Sequence, residues 1–448
     1  MSTAPSTTMA RRAAIASFTG SIIEWYDFNL YGLAAALVFN KVFFTSLSPA
    51  VGVVVAFATF AAGFVIRPLG ALFFGHLGDR IGRKPTMIAT LWVMGVGTVL
   101  IGALPGYQTL GVAAPLLLVL LRLVQGFGVG GEESLASVLA VEHAQPHRRG
   151  LNGSSAFSGS FVGILIGTGV FAAISMMPDD SLLSWGWRIP FLAGAAITVV
   201  AYFVRRGVRD TPHFLALVEG DQDRRSRLPV ASLVRTHWKQ LTAIALLIGG
   251  PNTIFLTVMT FSVSYGKQQY GIDPSVILSS VTIGLVVAVF VTTFAGWVSD
   301  KVGRKLPITV GVVAESCFYF FFWWALSTAR PGLIVLSMIL VLGFGHALYN
   351  GVLPALMCDF FPAAVRASGV SIGQQVGGTI GGFGPLLAAS FVLVQQGGWS
   401  LTAGYGLALC LVGLGLLAAV TRRVGWLRPA PASPRDDTVR PAASVSDA

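Results

Sequence analysis

Along this chain, long apolar runs alternate with short polar connections. Twelve runs stand out, at approximately 14–40, 51–74, 85–104, 112–142, 151–177, 186–206, 240–266, 276–298, 306–326, 333–357, 368–395 and 400–421. Each reaches the about 20 residues that an α-helix needs to cross a hydrocarbon core of roughly 30 Å. They are too long for barrel strands, and in lipid a lone segment can satisfy its backbone only as a helix. The pattern predicts an all-α membrane protein of twelve transmembrane helices. Glu24 and Asp27 interrupt the first run, so it reads as a span rather than as a cleaved leader with a purely apolar core. The longest polar connection divides the chain. We expect an N-terminal six-helix bundle over 1–206, a cytoplasmic linker over 207–238, a C-terminal six-helix bundle over 239–422 and a proline-rich tail over 423–448.

Composition narrows the class. Of 448 residues 54% are hydrophobic and 11% charged, against about 25% charged in an ordinary globular domain. That excludes a soluble multidomain enzyme, a disordered chain and a fibre. The net charge of +11 would suit a nucleic acid, but its placement argues otherwise. With the N-terminus inside, only Lys41, Arg188, Lys267 and Arg330 fall on the outer side, while Arg67 and Arg122 lie in the membrane. Every other Lys and Arg faces the cytoplasm, which places both termini there. The partner implied is the lipid bilayer, not nucleic acid. Cys317, Cys358 and Cys410 are scattered through apolar runs and read as buried thiols, neither a disulfide framework nor a metal site. With no nucleotide loop, nucleophile triad or metal constellation in view, we expect no enzyme activity and no cofactor beyond protons.

The two halves echo each other. GHLGDRIGRK (75–84) recurs as GWVSDKVGRK (296–305), PHRRG (146–150) as PAAVRASG (362–369), and the stripe Gly159, Gly163, Gly167 as Gly373, Gly377, Gly381, all at nearly the same separation. Three such markers predict a duplicated six-helix unit. In the ten-residue motif, Asp79 and Asp300 are expected to cap or pair across the cytoplasmic side, and Gly82 and Gly303 to permit a tight turn. Arg80, Arg83, Lys301 and Arg304 would anchor on helix carbonyl ends or acidic lipid.

The duplicated G-x-x-x-D-[RK]-x-G-R-K resembles the loop motif of the major facilitator superfamily. EWYDF (24–28), IRPL (66–69), RLVQGFGVGGE (122–132), WGWRIPF (185–191) and TPHF (211–214) are similar to its metabolite:proton symporter branch, and VFNKVFF (38–44) and AVEHAQP (140–146) to shikimate-type members. The resemblance implies two pseudo-symmetric bundles rocking about one central site, in a bacterial inner membrane, as a monomer. It implies proton-coupled import of a small organic carboxylate such as shikimate, 2-oxoglutarate, citrate or an aromatic acid. It also implies that the loop motifs latch the outward-open state. A proton/osmolyte symporter for proline or betaine is the alternative. The tail, however, carries Pro429, Pro431, Pro434 and Pro441 without the heptads of that group's coiled coil. A drug/proton antiporter fits less well, because span five lacks a glycine-proline pair.

Ionisable groups deep in lipid are costly and so mark function. Glu24, Asp27 and Tyr31 share one helical stripe near mid-bilayer, and with Glu132 and Glu133 the acids are candidates for proton coupling. Arg122 is the candidate anchor for a substrate anion, with Gln125 one turn on; an internal acid would compete for it. Tyr31, Asn252, His346 and Asn350 are further candidates for substrate contact. Arg67 is expected to snorkel or to pair structurally, Glu315 to be structural and Tyr265 to lie at the outer interface. All of this requires one shared, water-reachable chamber between the bundles.

Overall fold

The computed structural model describes residues 7–81, 83–130, 132–206, 230–362 and 366–424. Among them the chain forms twelve helical rods and no strand. These are α1 (7–42), α2 (49–81), α3 (Arg83–Ala103), α4 (Ala113–Val129 and Glu132–Glu142), α5 (Arg149–Ser175), α6 (179–206), α7 (230–270), α8 (Pro274–Val302), α9 (Lys305–Ser327), α10 (331–360), α11 (366–394) and α12 (Ser400–Val424). Each predicted span falls on one rod. Nine of the rods are long and apolar enough to cross a membrane, and α3 and α4 add shorter apolar stretches over Ile88–Ala103 and Ala113–Val129. Large apolar side chains such as Leu116, Phe203, Phe290 and Val394 point outward, as a lipid-facing belt requires. Cys317 also points outward, whereas Cys358 and Cys410 are buried; a thiol in an apolar run can face lipid as readily as the core.

Local sequence places the ends. Pro49, Pro274 and Pro331 open α2, α8 and α10 at positions whose N–H would be unsatisfied anyway. Asp273 caps α8 by accepting from the Ser275 N–H at 2.8 Å. Arg188 of α6 donates to the carbonyls of Gly102 and Leu104, at 2.9 and 2.6 Å, and so closes the C-terminus of α3. Part of the expected linker is helical. Residues 230–238 already belong to α7, which departs from helical geometry at His237 (φ −117°, ψ 21°); 207–229 lie outside the described residues, as does the tail from 425.

The glycine stripes behave alike in the two halves. Gly159 and Gly163 bring α5 onto the backbone of α1 at Phe18 and Ile22, and Gly377 and Gly381 bring α11 onto α7 at Ala245, Ile248 and Asn252. The halves meet mainly along α5 with α8 and α2 with α11. Where α5 crosses α8, an added Cβ on Gly150 would lie 2.3 Å from the Gly296 carbonyl oxygen, so the backbones are in direct contact.

At the end of the bundle that carries the loop motifs, Asp300 accepts from the backbone N–H of Gly150 and Leu151, at 2.7 and 2.9 Å, across the seam. It thereby sits on the positive N-terminus of α5. Arg304 holds the same carboxylate at 2.8 Å and reaches Asp359 at 3.7 Å. Gly303 turns the chain at φ +87°, in the left-handed region that favours glycine. Lys301 lies over the Trp297 ring at 3.6 Å, on its own helix rather than across the seam. Arg366 of α11 pairs with Glu142 of α4 at 2.9 Å. In the first motif copy, Gly82 lies outside the described residues, as do the side chains of Asp79, Arg80 and Arg83. Towards the opposite end, Phe57 of α2 meets Phe261 of α7, ring centroids 5.9 Å apart. Among the described residues the halves are thus in contact at both ends of the central seam, which we term the occluded state.

Candidate functional site

One internal cavity lies on the seam between the halves, where helices from both contribute. The N-terminal half supplies Trp25 from α1, Phe64 and Arg67 from α2, Glu133 from α4 and Phe157, Ser160 and Phe161 from α5. The C-terminal half supplies Asn252 and Phe255 from α7, His346 and Asn350 from α10 and Gln374 and Gln375 from α11. Its volume is about 30 Å³, the scale of a water molecule. A metabolite would need the halves to part.

Its polar groups are few and directed. Glu133 Oε1 accepts from Trp25 Nε1 at 2.8 Å, and Gln374 of α11 lies against the same carboxylate. Arg67, buried, stacks over the rings of Phe28 and Phe64 at 4.6 and 4.5 Å, its charge neighbours being Glu24 and Glu133. Its position follows from the Arg67–Pro68 pair. Pro68 has no N–H and cannot bond the carbonyl of residue 64, four positions back, so α2 breaks between Val65 and Arg67. The freed Phe64 carbonyl accepts instead from Thr379 Oγ1 of α11 at 3.0 Å. The break thus turns Arg67 inward and ties the two halves beside it. Snorkelling, the behaviour expected of Arg67 from its distance to the loop, is not what the side chain does.

The second deep arginine is elsewhere. Arg122, 1% exposed, is not among the cavity's lining residues. It donates to Gln125 Oε1; Gln125 Nε2 donates to Thr98 Oγ1 at 2.7 Å, and Thr98 Oγ1 donates to Asp27 Oδ2 at 2.9 Å. Asp27 and Arg122 are therefore linked through two side chains inside the N-terminal half rather than paired directly. Tyr31 covers the Arg122 guanidinium at 4.2 Å and donates to Thr59 at 2.7 Å, so it too faces this interior network and not the cavity. Phe28 lies between the two sites, with Arg67 at 4.6 Å and Arg122 at 4.7 Å from its ring.

The predicted residues thus divide into two groups. Glu133, Asn252, His346 and Asn350 line the cavity; Asp27, Tyr31, Arg122 and Gln125 form a sealed network beside it. Glu24, 2% exposed, is a charge neighbour of Arg67 without lining the cavity. The expectation of one chamber shared by Glu24, Asp27 and Arg122 does not describe this occluded state, because the ring of Phe28 partitions it. The Glu132 side chain lies outside the described residues. Tyr265 is buried, not interfacial; it donates to the Gly397 carbonyl at 2.7 Å and packs against Trp323. Sequence reasoning passed over Thr98, Trp25 and the Gln374–Gln375 pair. The adjacent amides in an apolar span were a readable signal, whereas nothing distinguishes Thr98 from other threonines until the fold places Asp27 against it.

Two six-helix halves packed around a small, mostly apolar cavity with a few polar groups have the architecture of a membrane transporter. The family model of the Major Facilitator Superfamily matches residues 17–385, and the chain belongs to that superfamily. It is 39% identical to the shikimate transporter of Escherichia coli (strain K12), over 90% of this chain and 92% of that protein. It is 32% identical to the proline/betaine transporter of Salmonella typhimurium (strain LT2), over 90% and 82%. Among solved structures, the xylose transporter of E. coli in a partially occluded inward-open conformation aligns with a TM-score of 0.68 at 16% identity, covering 95% of this chain and 100% of that one.

Proposed function

We propose that this protein is a proton-coupled symporter that imports a small organic carboxylate of the shikimate class across the bacterial inner membrane, with its loop-motif end and both termini in the cytoplasm. The observation that carries the reading is the cavity itself. A buried guanidinium, Arg67, faces a ring of hydrogen-bonding side chains from both halves, with the Glu133 carboxylate as its neighbour. A guanidinium is suited to hold a carboxylate, and Asn252, Asn350, Gln374 and Gln375 suit the hydroxyls of a compact polyol acid. The 39% identity to a shikimate transporter supports the same class.

Coupling follows from competition. An ionised Glu133 occupies Arg67; a proton on Glu133 leaves Arg67 free for the substrate carboxylate. The proton therefore enters with the anion and leaves with it when the opposite end opens. Asp27, Thr98, Gln125 and Arg122 form a second set of groups in the N-terminal half. In this reading Arg122 acts on the site through Phe28, and Arg67 takes the anion. Glu24, beside Arg67, is a further proton acceptor. A second reading, an osmolyte symporter, draws on Trp25, Phe64 and Phe255, whose ring faces could receive a quaternary ammonium beside Glu133.

The test is uptake into liposomes under an imposed pH gradient (acid outside), with shikimate, 2-oxoglutarate, citrate and betaine offered separately. Gradient-dependent shikimate accumulation is expected; accumulation of betaine alone would establish the second reading, and equal uptake with and without the gradient would refute proton coupling.

A further inference from the structure

The C-terminal half holds a buried acid–base pair with no part in the coupling described above. Glu315 of α9 and His346 of α10 are 0% and 1% exposed and lie 2.8 Å apart, Oε1 to Nδ1. The two helices are in backbone contact there, Gly345 resting on Glu315. His346 ends an eight-residue π-helical stretch, Ile339–His346, the wide-turn geometry that recurs at functional sites. Its ring is stacked on Phe255 of α7 at 4.2 Å and 11°, with the edge of Phe161, from the other half, at 6.1 Å. Glu315 Oε2 has no hydrogen-bond partner among the described residues.

We propose that Glu315 and His346 form a second proton-binding site, which opens onto the substrate cavity through the imidazole. The inference rests on the symport reading for its consequence in transport, but not for the site itself. With Glu315 ionised and His346 neutral, the pair carries one uncompensated negative charge with a bare oxygen in the membrane interior, which is costly. One added proton makes the pair neutral overall. Nδ1 is engaged by Glu315, so Nε2 is the ring nitrogen left to the cavity. In the protonated pair it is an N–H donor towards an anion; in the deprotonated pair with Nδ1–H on Glu315 it is a lone pair that repels one. Protonation and anion binding therefore favour each other. The proton enters from whichever side the cavity opens to and leaves on the other.

The groups that face this pair are few. Tyr319 of α9, Tyr349 of α10 and Cys410 of α12 are charge neighbours of Glu315, α4 contributes Glu133 and α2 Arg67 across the cavity, and α5 and α7 present the aromatic rings of Phe161 and Phe255.

The experiment compares wild type, Glu315→Gln and His346→Gln, purified and reconstituted, by two readouts. Infrared difference spectra across a pH titration should contain a carboxyl band that vanishes in Glu315→Gln and shifts its midpoint in His346→Gln. Shikimate accumulation under a pH gradient should fall about ten- to hundredfold relative to each variant's own shikimate counterflow, the loss of one charge-assisted hydrogen bond. Unchanged spectra in Glu315→Gln overturn the proposal, as does an unchanged ratio of accumulation to counterflow in both variants. If Glu315→Gln and the Glu315→Gln/His346→Gln double variant, which keeps an amide pair in place, both lose the folded state, the pair is a structural clamp and the proposal also falls. Should the wild type fail to accumulate shikimate with the gradient, the symport reading fails, while the infrared titration still decides whether the pair binds a proton.

Discussion

Replacing Thr379 by valine removes the hydroxyl that holds the two halves together beside Arg67 and preserves the side chain's shape. In the occluded state the Thr379 hydroxyl has two acceptors within reach, the Phe64 carbonyl of α2 at 3.0 Å and the Gln375 carbonyl of its own helix at 2.8 Å. The Gln375 carbonyl can retain its helical partner in the valine variant. The Phe64 carbonyl loses the donor that replaced the N–H missing at Pro68 and keeps only the Ile66 N–H of its own turn. Phe64 is buried when the seam is closed, and one such hydrogen bond contributes about 0.5–1.5 kcal/mol. When the halves part, water reaches the carbonyl and the penalty disappears. The closed state should therefore lose about 1 kcal/mol against the open ones, a factor of about 5 in population. Double electron–electron resonance can read this with Cys317 changed to serine, using one label pair at Ser46 and Lys267 and another at His147 and Lys305. These pairs report the two ends of the bundle. The short-distance fraction common to both ends should shrink in Thr379→Val and return in Thr379→Ser. Identical distance distributions in wild type and Thr379→Val would show that this bond does not stabilise closure and would refute the argument from Pro68.

Other consequences follow from the same contacts. Gly296→Val places a side chain against the Gly150 carbonyl, where a Cβ already comes within 2.6 Å; the His147–Lys305 distance should lengthen and gradient-driven uptake fall at least about tenfold, the cost of overpacking at a backbone contact, and normal uptake would count against the crossing as the closing element. Arg67→Gln should weaken shikimate binding by about ten- to hundredfold, with Arg67→Lys recovering only part, since an ammonium lacks the planar fork; wild-type affinity in Arg67→Gln would remove Arg67 from the site. Asp273→Ala deletes the cap of α8 and should cost about 1 kcal/mol in thermal unfolding of the purified protein. The Ser275 hydroxyl and N–H together hold the Asp273 carboxyl below its ordinary range. Its contribution is therefore present above the unfolded carboxyl value and is lost as pH falls through the lowered one. A wild-type advantage that persists unchanged in strong acid would contradict that assignment.

The fold was readable because lipid leaves the chain so little choice. Apolar runs of spanning length can only be helices, and each of the twelve proposed spans lies on a rod, with boundaries set by Pro49, Pro274 and Pro331. In the second copy of the duplicated loop motif, Asp300 crosses to the N-terminus of α5, a partner that the motif itself does not name. The site was legible only in its ingredients. Buried charge identified Asp27, Glu133, Arg122, Arg67 and His346 as special, but spacing along a helix says which residues share a face, not which helix that face meets. Arg122 and Arg67 are equally deep, and what separates them is the ring of Phe28 and the break at Pro68, both tertiary in effect. The Pro68 break was visible as IRPL; its consequence, a carbonyl released to Thr379 far along the chain, was not. Glu315 and His346 were each noticed singly. Their pairing depends on α9 and α10 touching at Gly345, and no one-dimensional pattern encodes that contact.

The most direct test of the central claim, that an anion and a proton cross together through the cavity around Arg67 and Glu133, is the internal pH of proteoliposomes after shikimate is added outside with no gradient imposed. The account predicts internal acidification that keeps step with shikimate entry in the wild type and is lost in Glu133→Gln. Shikimate entry with no accompanying change of internal pH would contradict it.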